Sequence, residues 1–229
     1  MFYLKNRKSI IVNDASNSFS MLKSNHKLYW GFAMRSLFLV ILLLILAGCN
    51  KPQGGTEAPA GDFVGTNISA ASFASTLNLT DHTGKVRSMA DFKDKVVVLF
   101  FGYTHCPDVC PTTMSDLRNV MKQLGDKSNE VQVLFVTVDP ERDTQAVLAQ
   151  FVPSFDKRFI GLRGSAEETK ETLKNYKIFM SKVDGKSAND YSIDHSAGMY
   201  LFDKAGKIRV YMGYGQKIPE MVSDIKKLL

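Results

Sequence analysis

The sequence contains only three cysteines, one tryptophan and almost no net charge beyond its first 48 residues. Residues 1–48 carry six basic residues and one acidic residue, whereas residues 49–229 carry 23 basic and 22 acidic residues. A nearly neutral domain lacks the basic surface that nucleic acids require, so no nucleic-acid partner is expected. There is no internal repeat and no glycine-rich phosphate loop. The 229 residues suffice for one well-buried domain and a tail.

The longest apolar run follows a positive charge and ends at a cysteine. Leu37–Leu46 covers ten residues, which is short for a helix crossing about 30 Å of hydrocarbon. A charge, an apolar core and small residues, in that order, are typical of an export signal. The ending Leu46–Cys49 resembles the lipobox of bacterial lipoproteins, in which the cysteine is lipidated and becomes the first mature residue. The alternative is a transmembrane anchor with an incidental cysteine, and the small-small-cysteine ending favours the lipoprotein.

These features divide the chain into four segments. Residues 1–33 are polar and fit badly in a signal peptide, so we expect a non-native extension and a true start at Met34. Residues 34–48 form the predicted signal peptide. Residues 49–61, rich in glycine, proline and alanine, form a flexible linker attached to lipid at Cys49. Residues 62–229 form the folded domain, held at the periplasmic face of a membrane.

Strand and helix patterns alternate through the domain. Val96–Phe101 is a continuous apolar run typical of a fully buried strand, and Thr112–Leu124 is an amphipathic helix. Val131–Val138 is a second buried strand. Further helices, a hairpin and a terminal helix follow. A buried strand that leads into a cysteine pair at a helix start predicts a thioredoxin-like α/β sandwich, with a central mixed β-sheet flanked by helices.

Cys106 and Cys110 allow three interpretations. They could be a structural disulfide or two buried thiols, although core cysteines rarely lie between prolines in a polar loop. They could exchange between dithiol and disulfide, because residues four apart on a helical turn have Cα atoms about 6 Å apart, within bridging range. They could also bind a soft metal, which would need a further ligand. The helix N-terminus favours thiolates in the last two cases.

Three histidines remain after removal of the leader. His82 lies in a hairpin turn, where a solvated polar side chain is expected. His105 adjoins Cys106, but the side chains of neighbouring residues usually diverge. His195 precedes a strong strand, and in a thioredoxin-like sheet the loop entering that strand faces the cysteine loop. That loop also lacks the cis-proline of thioredoxins, because residues 155–217 contain no proline, which argues against a general oxidoreductase.

Three motifs resemble those of the Sco/SenC family of copper proteins: Phe101–Thr112, Val138–Thr144 and Asp194-His195. The resemblance covers most of residues 70–229 with the motifs in the right order. It implies one copper ion, Cu(I) or Cu(II), bound by Cys106, Cys110 and His195. It also implies that Asp139 lies near the metal without binding it.

The same resemblance implies a role in assembling the CuA centre of cytochrome c oxidase. The implied partners are the oxidase subunit that carries this centre, the membrane through the lipid anchor, and a periplasmic copper donor or thiol reductant. A metal carrier rather than an enzyme is therefore expected. Two alternatives stay open: a thiol–disulfide reductase that keeps the subunit's cysteines reduced, and a copper or redox sensor.

Overall fold

The computed structural model describes residues 62–74, 76–186 and 190–229. The predicted extension, signal peptide, linker and lipidation site Cys49 lie outside these residues. Among the residues described, no helix has both the length and the hydropathy needed to span a bilayer.

The described chain alternates between strands and helices. The strands are β1 (Thr66–Asn67), β2 (Asn78–Asp81), β3 (Val86–Ser88), β4 (Val96–Gly102), β5 (Val131–Thr137), β6 (Ile160–Arg163), β7 (Met180–Asp184), β8 (Tyr191–His195), β9 (Met199–Phe202) and β10 (Ile208–Met212). The α-helices are α1 (Val109–Leu124), α2 (Gln145–Phe151), α3 (Ala166–Asn175) and α4 (Ile218–Leu228). Short 3-10 helices cover Met89–Phe92, Gly125–Glu130 and Val152–Ser154.

Eight of the described strands form one mixed sheet in the order β1-β10-β9-β4-β5-β6-β2-β3. Strands β4, β5 and β6 are parallel, and the other pairings in this sheet are antiparallel. Strands β7 and β8 form a separate antiparallel pair. The predicted α/β fold with a central mixed sheet and flanking helices is confirmed.

The continuous apolar runs form the two central strands because both of their faces are covered. Every residue of β4 and β5 is buried. Helix α1 packs against α4 and buries the apolar face of the predicted amphipathic helix, namely Met114, Leu117, Val120, Met121 and Leu124. Each such side chain contributes about 1.5–3 kcal/mol when fully buried. This packing fixes the end of β4 and the start of α1, where both cysteines lie.

The start of helix α1 differs from the sequence prediction. Helix α1 begins at Val109 rather than Thr112, because Pro111 is tolerated in a first turn, where its missing N–H costs no helical hydrogen bond. Cys110 therefore lies inside the helix. Strand β7 pairs with β8 and so supports the strand that carries His195.

The buried Asp81 stabilises the β2–β3 hairpin, and we expect its replacement by asparagine to give a pH-dependent loss of stability. Burial alone would raise the pKa of Asp81, but hydrogen bonds from Thr83, Arg87 and the Lys85 amide lower it to about 2. The pKa of an unfolded aspartate is about 3.9, so this stabilisation is complete above pH 4 and is lost as the pH falls towards 2. Asp81→Asn should lower the free energy of unfolding by about 2 kcal/mol at pH 7.

Urea denaturation at several pH values measures this effect. The difference between wild type and Asp81→Asn should shrink between pH 4 and pH 2. A difference that stays constant over this range would show that the carboxylate charge contributes nothing.

Candidate metal centre

The two cysteines lie where β4 ends and α1 begins. The Cys106 amide donates a hydrogen bond to the Tyr103 carbonyl (3.3 Å), which closes the turn after β4. The Cys110 amide, in the first turn of α1, donates to Cys106 Sγ (3.4 Å). Both cysteines are free thiols; Cys110 is fully buried, and Cys106 is partly exposed.

His195 is the last residue of β8, and its ring faces the buried thiol. The distance between His195 Nε2 and Cys110 Sγ is 3.7 Å. Nδ1 lies 2.9 Å from the Ser196 carbonyl oxygen. A carbonyl only accepts hydrogen bonds, so in the neutral ring Nδ1 carries the proton and Nε2 directs a lone pair at the sulfur. The structure thus places His195 beside Cys110, two of the three metal ligands that the resemblance implies.

Burial controls the protonation of this pair. It lowers the pKa of His195, so the imidazole is neutral at neutral pH. Burial also raises the pKa of the Cys110 thiol. At Cys110 burial therefore outweighs the stabilisation of a thiolate by the helix N-terminus, and the protonated thiol is favoured. Because a thiol must ionise to bind a metal, metal uptake at Cys110 would release a proton.

The spacing of Cys110 and His195 fits two ligands of one ion. With the bond lengths of about 2.3 Å to sulfur and 2.0 Å to nitrogen found in zinc sites, a trigonal angle separates the two donor atoms by about 3.7 Å. Among the residues described, no three histidine, cysteine or acidic side chains form a preassembled cluster. Cys106 Sγ contacts the Cys110 amide instead. Completing a three-ligand site therefore requires the Cys106 side chain to move towards the other two.

Gly102 allows the buried thiol to approach the sheet closely. A Cβ atom at this position would lie 3.0 Å from Cys110 Sγ and 2.9 Å from the Phe135 ring. Any larger residue at the end of β4 would push the thiol away from its position beside His195. The lack of a side chain at Gly102 is therefore required for the position of the Cys110 thiol beside His195.

Asp139 supports β8 and makes its contacts away from the thiols. Its carboxylate accepts hydrogen bonds from Arg142 Nε (2.5 Å) and from the Tyr191 hydroxyl (2.8 Å). Arg142 also donates to the Tyr191 carbonyl (2.8 Å), and its guanidinium carbon lies 3.4 Å from the centre of the Tyr191 ring. Asp139 and Arg142 thus hold the first residue of the strand that ends at His195.

Asp143 connects the cysteine loop to the end of β5, a role that was not predicted from the sequence. This fully buried carboxylate accepts hydrogen bonds from the Thr104 amide (3.0 Å), the Thr104 hydroxyl (2.5 Å) and the Thr137 hydroxyl (2.6 Å). Burial raises its pKa. The neighbouring Thr144, and not Asp143, caps the N-terminus of α2. The sequence feature that pointed to Asp143 was its position within the motif Val138–Thr144.

Tyr103 was also missed, because an aromatic residue after a buried strand looks like ordinary core. Its hydroxyl accepts a hydrogen bond from the Ile193 amide (3.2 Å), and its ring meets the His195 ring edge-on at 5.9 Å. Tyr103 therefore positions both strand β8 and the imidazole ring of His195.

The other two described histidines lie apart from the thiols. His105 is exposed, with Nδ1 3.8 Å from Asp143 Oδ1. His82 lies in the hairpin turn as expected and is half-buried rather than fully solvated, because its Nδ1 accepts a hydrogen bond from the Gly161 amide (3.0 Å) that joins the turn to β6.

The fold and this centre define a class of protein: a thioredoxin-like domain in which a dithiol at a helix start faces a histidine. The family model for SCO1/SenC matches residues 65–229. The chain belongs to the SCO1/SenC family.

Relatives and solved structures agree with this membership. The mitochondrial SCO2 homolog of Bos taurus is 38% identical over 152 residues, which cover 66% of this chain and 57% of that protein. Bradyrhizobium japonicum ScoI, solved with copper bound, is 36% identical, with a TM-score of 0.62 over 67% of this chain and 98% of that chain. Yeast Sco1 with copper bound is 30% identical, with a TM-score of 0.63 over 69% of this chain and 88% of that chain. The thioredoxin-like fold is thereby confirmed. The chain spans 57% of the length of the bovine relative.

Proposed function

We propose that this protein is a copper chaperone that binds one copper ion and delivers it to the CuA centre of cytochrome c oxidase during assembly. The observation that carries the proposal is the approach of His195 Nε2 to within 3.7 Å of Cys110 Sγ, in a family of which Bradyrhizobium japonicum ScoI and yeast Sco1 were solved with copper bound. Cys106, Cys110 and His195 are the proposed ligands. The partner is the oxidase subunit that carries the CuA site.

The donor set suits this cargo. Thiolate and imidazole are the ligands that Cu(I) prefers, and copper exceeds zinc in intrinsic affinity for such sites. Cys110 is buried, whereas His195 and Cys106 are partly exposed. A partly exposed ligand suits transfer, because a thiolate of the receiving protein can enter the coordination sphere before the donor leaves.

The thiols make copper binding sensitive to oxidation. Joining Cys106 and Cys110 in a disulfide removes two electrons and two protons and leaves no thiolate for the metal. The proposed setting is therefore one with a thiol reductant as well as a copper donor. We place the domain at the periplasmic face of a membrane, attached through a lipid on Cys49 after removal of signal residues 34–48.

Titration with Cu(I) tests the proposal. The full chain, reduced and kept anaerobic, should bind one copper ion per chain, with thiolate-to-copper absorbance that grows linearly and stops at one equivalent. Zinc in excess should not displace the copper. Failure to bind copper under reducing conditions would refute the chaperone function.

Asp139→Asn should weaken copper binding about tenfold without unfolding the protein. The asparagine keeps an acceptor for Tyr191 but leaves the Arg142 guanidinium without its anionic partner, so the start of β8 is held less firmly. Outer residues that orient metal ligands typically affect metal affinity 10- to 100-fold. Competition with a copper chelator measures the change.

Asp156→Asn is the matched control, because it removes a comparable ion pair with Arg158 (2.7 Å) in the loop that leads into β6. This control should bind copper as the wild type does. Equal affinity in Asp139→Asn and Asp156→Asn would contradict the role assigned to Asp139.

A further inference from the structure

A cavity of about 500 Å³ lies beside the metal centre, between α3 and the β7–β8 pair. Its apolar lining includes Val138, Leu173, Ile178 and Ile193, all of them buried. A volume of 300–1,000 Å³ with a mostly apolar lining is typical of a ligand-binding pocket. The domain thus has room for an apolar group that the metal chemistry does not use.

The cavity and the metal centre share one strand. Ile193 and His195 are two residues apart on β8, so their side chains lie on the same face of the strand. The Ile193 amide donates to the Tyr103 hydroxyl, and the Tyr103 ring contacts His195. A group that fills the cavity would therefore lie directly beside the residues that position the imidazole.

Exposed apolar side chains extend from the cavity to the metal centre. Met180 lines the cavity and is 41% exposed. Phe179 is 63% exposed, and its backbone exchanges two hydrogen bonds with Ser196, the residue after His195. Methionine and aromatic residues are enriched at protein–protein interfaces. A small molecule inside the cavity would leave Phe179 uncovered, whereas a protein segment laid across the surface would cover both.

Among the residues that line the cavity, the charged side chains without an ion pair are positive. Lys170 and Lys174 lie one turn apart on α3, both are exposed, and neither forms an ion pair with another residue in the described part of the chain. The acidic residues that line the cavity are already paired: Glu141 with Lys182 (3.4 Å) and Asp139 with Arg142 (2.5 Å). This charge pattern complements an acidic partner and would accelerate its approach.

We propose that this cavity, together with Phe179 and Met180, is the docking site for an acidic segment of the protein that receives the copper. An apolar side chain of that segment occupies the cavity, and its acidic residues meet Lys170 and Lys174. The inference rests on the proposed chaperone function. It adds a surface that brings the recipient beside His195 without contributing any metal ligand.

The test measures binding of the full chain, loaded with copper, to the soluble CuA-bearing domain of the oxidase subunit. Two variants address the site: Lys170→Glu with Lys174→Glu reverses the charge, and Ala166→Trp, at an exposed lining position, fills the mouth of the cavity. The matched control is Lys93→Glu with Lys157→Glu, since both lysines are exposed and precede β4 and β6 at the edge of the sheet opposite the cysteines.

Both site variants should bind the recipient at least tenfold more weakly than the control, with unchanged copper affinity and unfolding midpoint. The charge reversal should also remove most of the salt dependence of binding. Recipient binding equal to that of the control in both variants would overturn the docking site. Binding of dodecanoate in the cavity without competition from the recipient would also overturn the docking site, because the cavity would then bind a small amphiphile and not a protein segment.

Copper titration separates this failure from failure of the proposed function. If the wild-type chain binds copper and both site variants bind the recipient as tightly as the control does, the docking site is refuted and the chaperone function is not. If the wild-type chain binds no copper, the chaperone function is refuted. Docking is then measured on the reduced, metal-free chain, where weaker binding by both site variants supports the docking site and binding equal to the control overturns it.

Discussion

Replacing His195 with alanine should reduce copper affinity at least 100-fold while leaving the two thiols as reactive as before. The imidazole is the donor that approaches Cys110 Sγ to 3.7 Å, and the side chain that remains offers no ligand. Loss of a residue that merely orients a ligand already costs 10- to 100-fold in affinity, so loss of the ligand itself should cost more. Chelator competition measures the affinity, and reaction with a thiol reagent measures the cysteines.

His105→Ala is the matched control, because His105 adjoins Cys106 in sequence but is exposed and directs its ring towards Asp143. It should bind copper as the wild type does. Oxidase assembly separates the alternatives. Assembly that fails in His195→Ala supports the chaperone. Assembly that survives this change but fails in Cys106→Ser supports a thiol reductase and contradicts the chaperone.

Oxidation of the dithiol should abolish copper uptake, and reduction should restore it. A disulfide between Cys106 and Cys110 removes both sulfur ligands at once, leaving one imidazole, which cannot retain Cu(I) against a chelator. Cys106→Ser should have a similar effect in the reduced protein, with a loss of at least 100-fold in affinity. Because Cys106 is partly exposed, this change should leave the unfolding midpoint nearly unchanged.

Cys49→Ser is the control for this prediction, since it removes the third cysteine of the sequence and leaves Cys106 and Cys110 unchanged. Copper stoichiometry and affinity should be the same as in the wild type. Copper uptake by the oxidised chain at one equivalent would show that the pair is not the ligand set.

The main elements of the fold could be predicted because their signals are local. The continuous apolar runs of β4 and β5 and the helical spacing of Met114, Leu117 and Met121 follow from the residues of each segment alone. The pairing of β7 with β8 could not be predicted in this way. All five residues of β7 are exposed, so the strand carries no apolar pattern and exists through hydrogen bonds to a partner.

The candidate ligands were found because cysteine and histidine carry distinctive chemistry, but their surroundings depend on distant contacts. Asp143 looks like a helix cap in sequence, yet it binds Thr104, which lies 39 residues away. The pKa of Cys110 depends on burial, which no short motif reveals, so the expected preference for thiolate was wrong for this residue. The contact of Tyr103 with Ile193 spans 90 residues, and residue type alone gives no signal for it.

X-ray absorption at the copper edge of the Cu(I)-loaded chain tests the central claim most directly. If Cys106, Cys110 and His195 bind one ion, the spectrum contains two sulfur neighbours and one imidazole nitrogen, and the nitrogen disappears in His195→Ala. A spectrum with sulfur neighbours alone, unchanged in His195→Ala, would contradict the account.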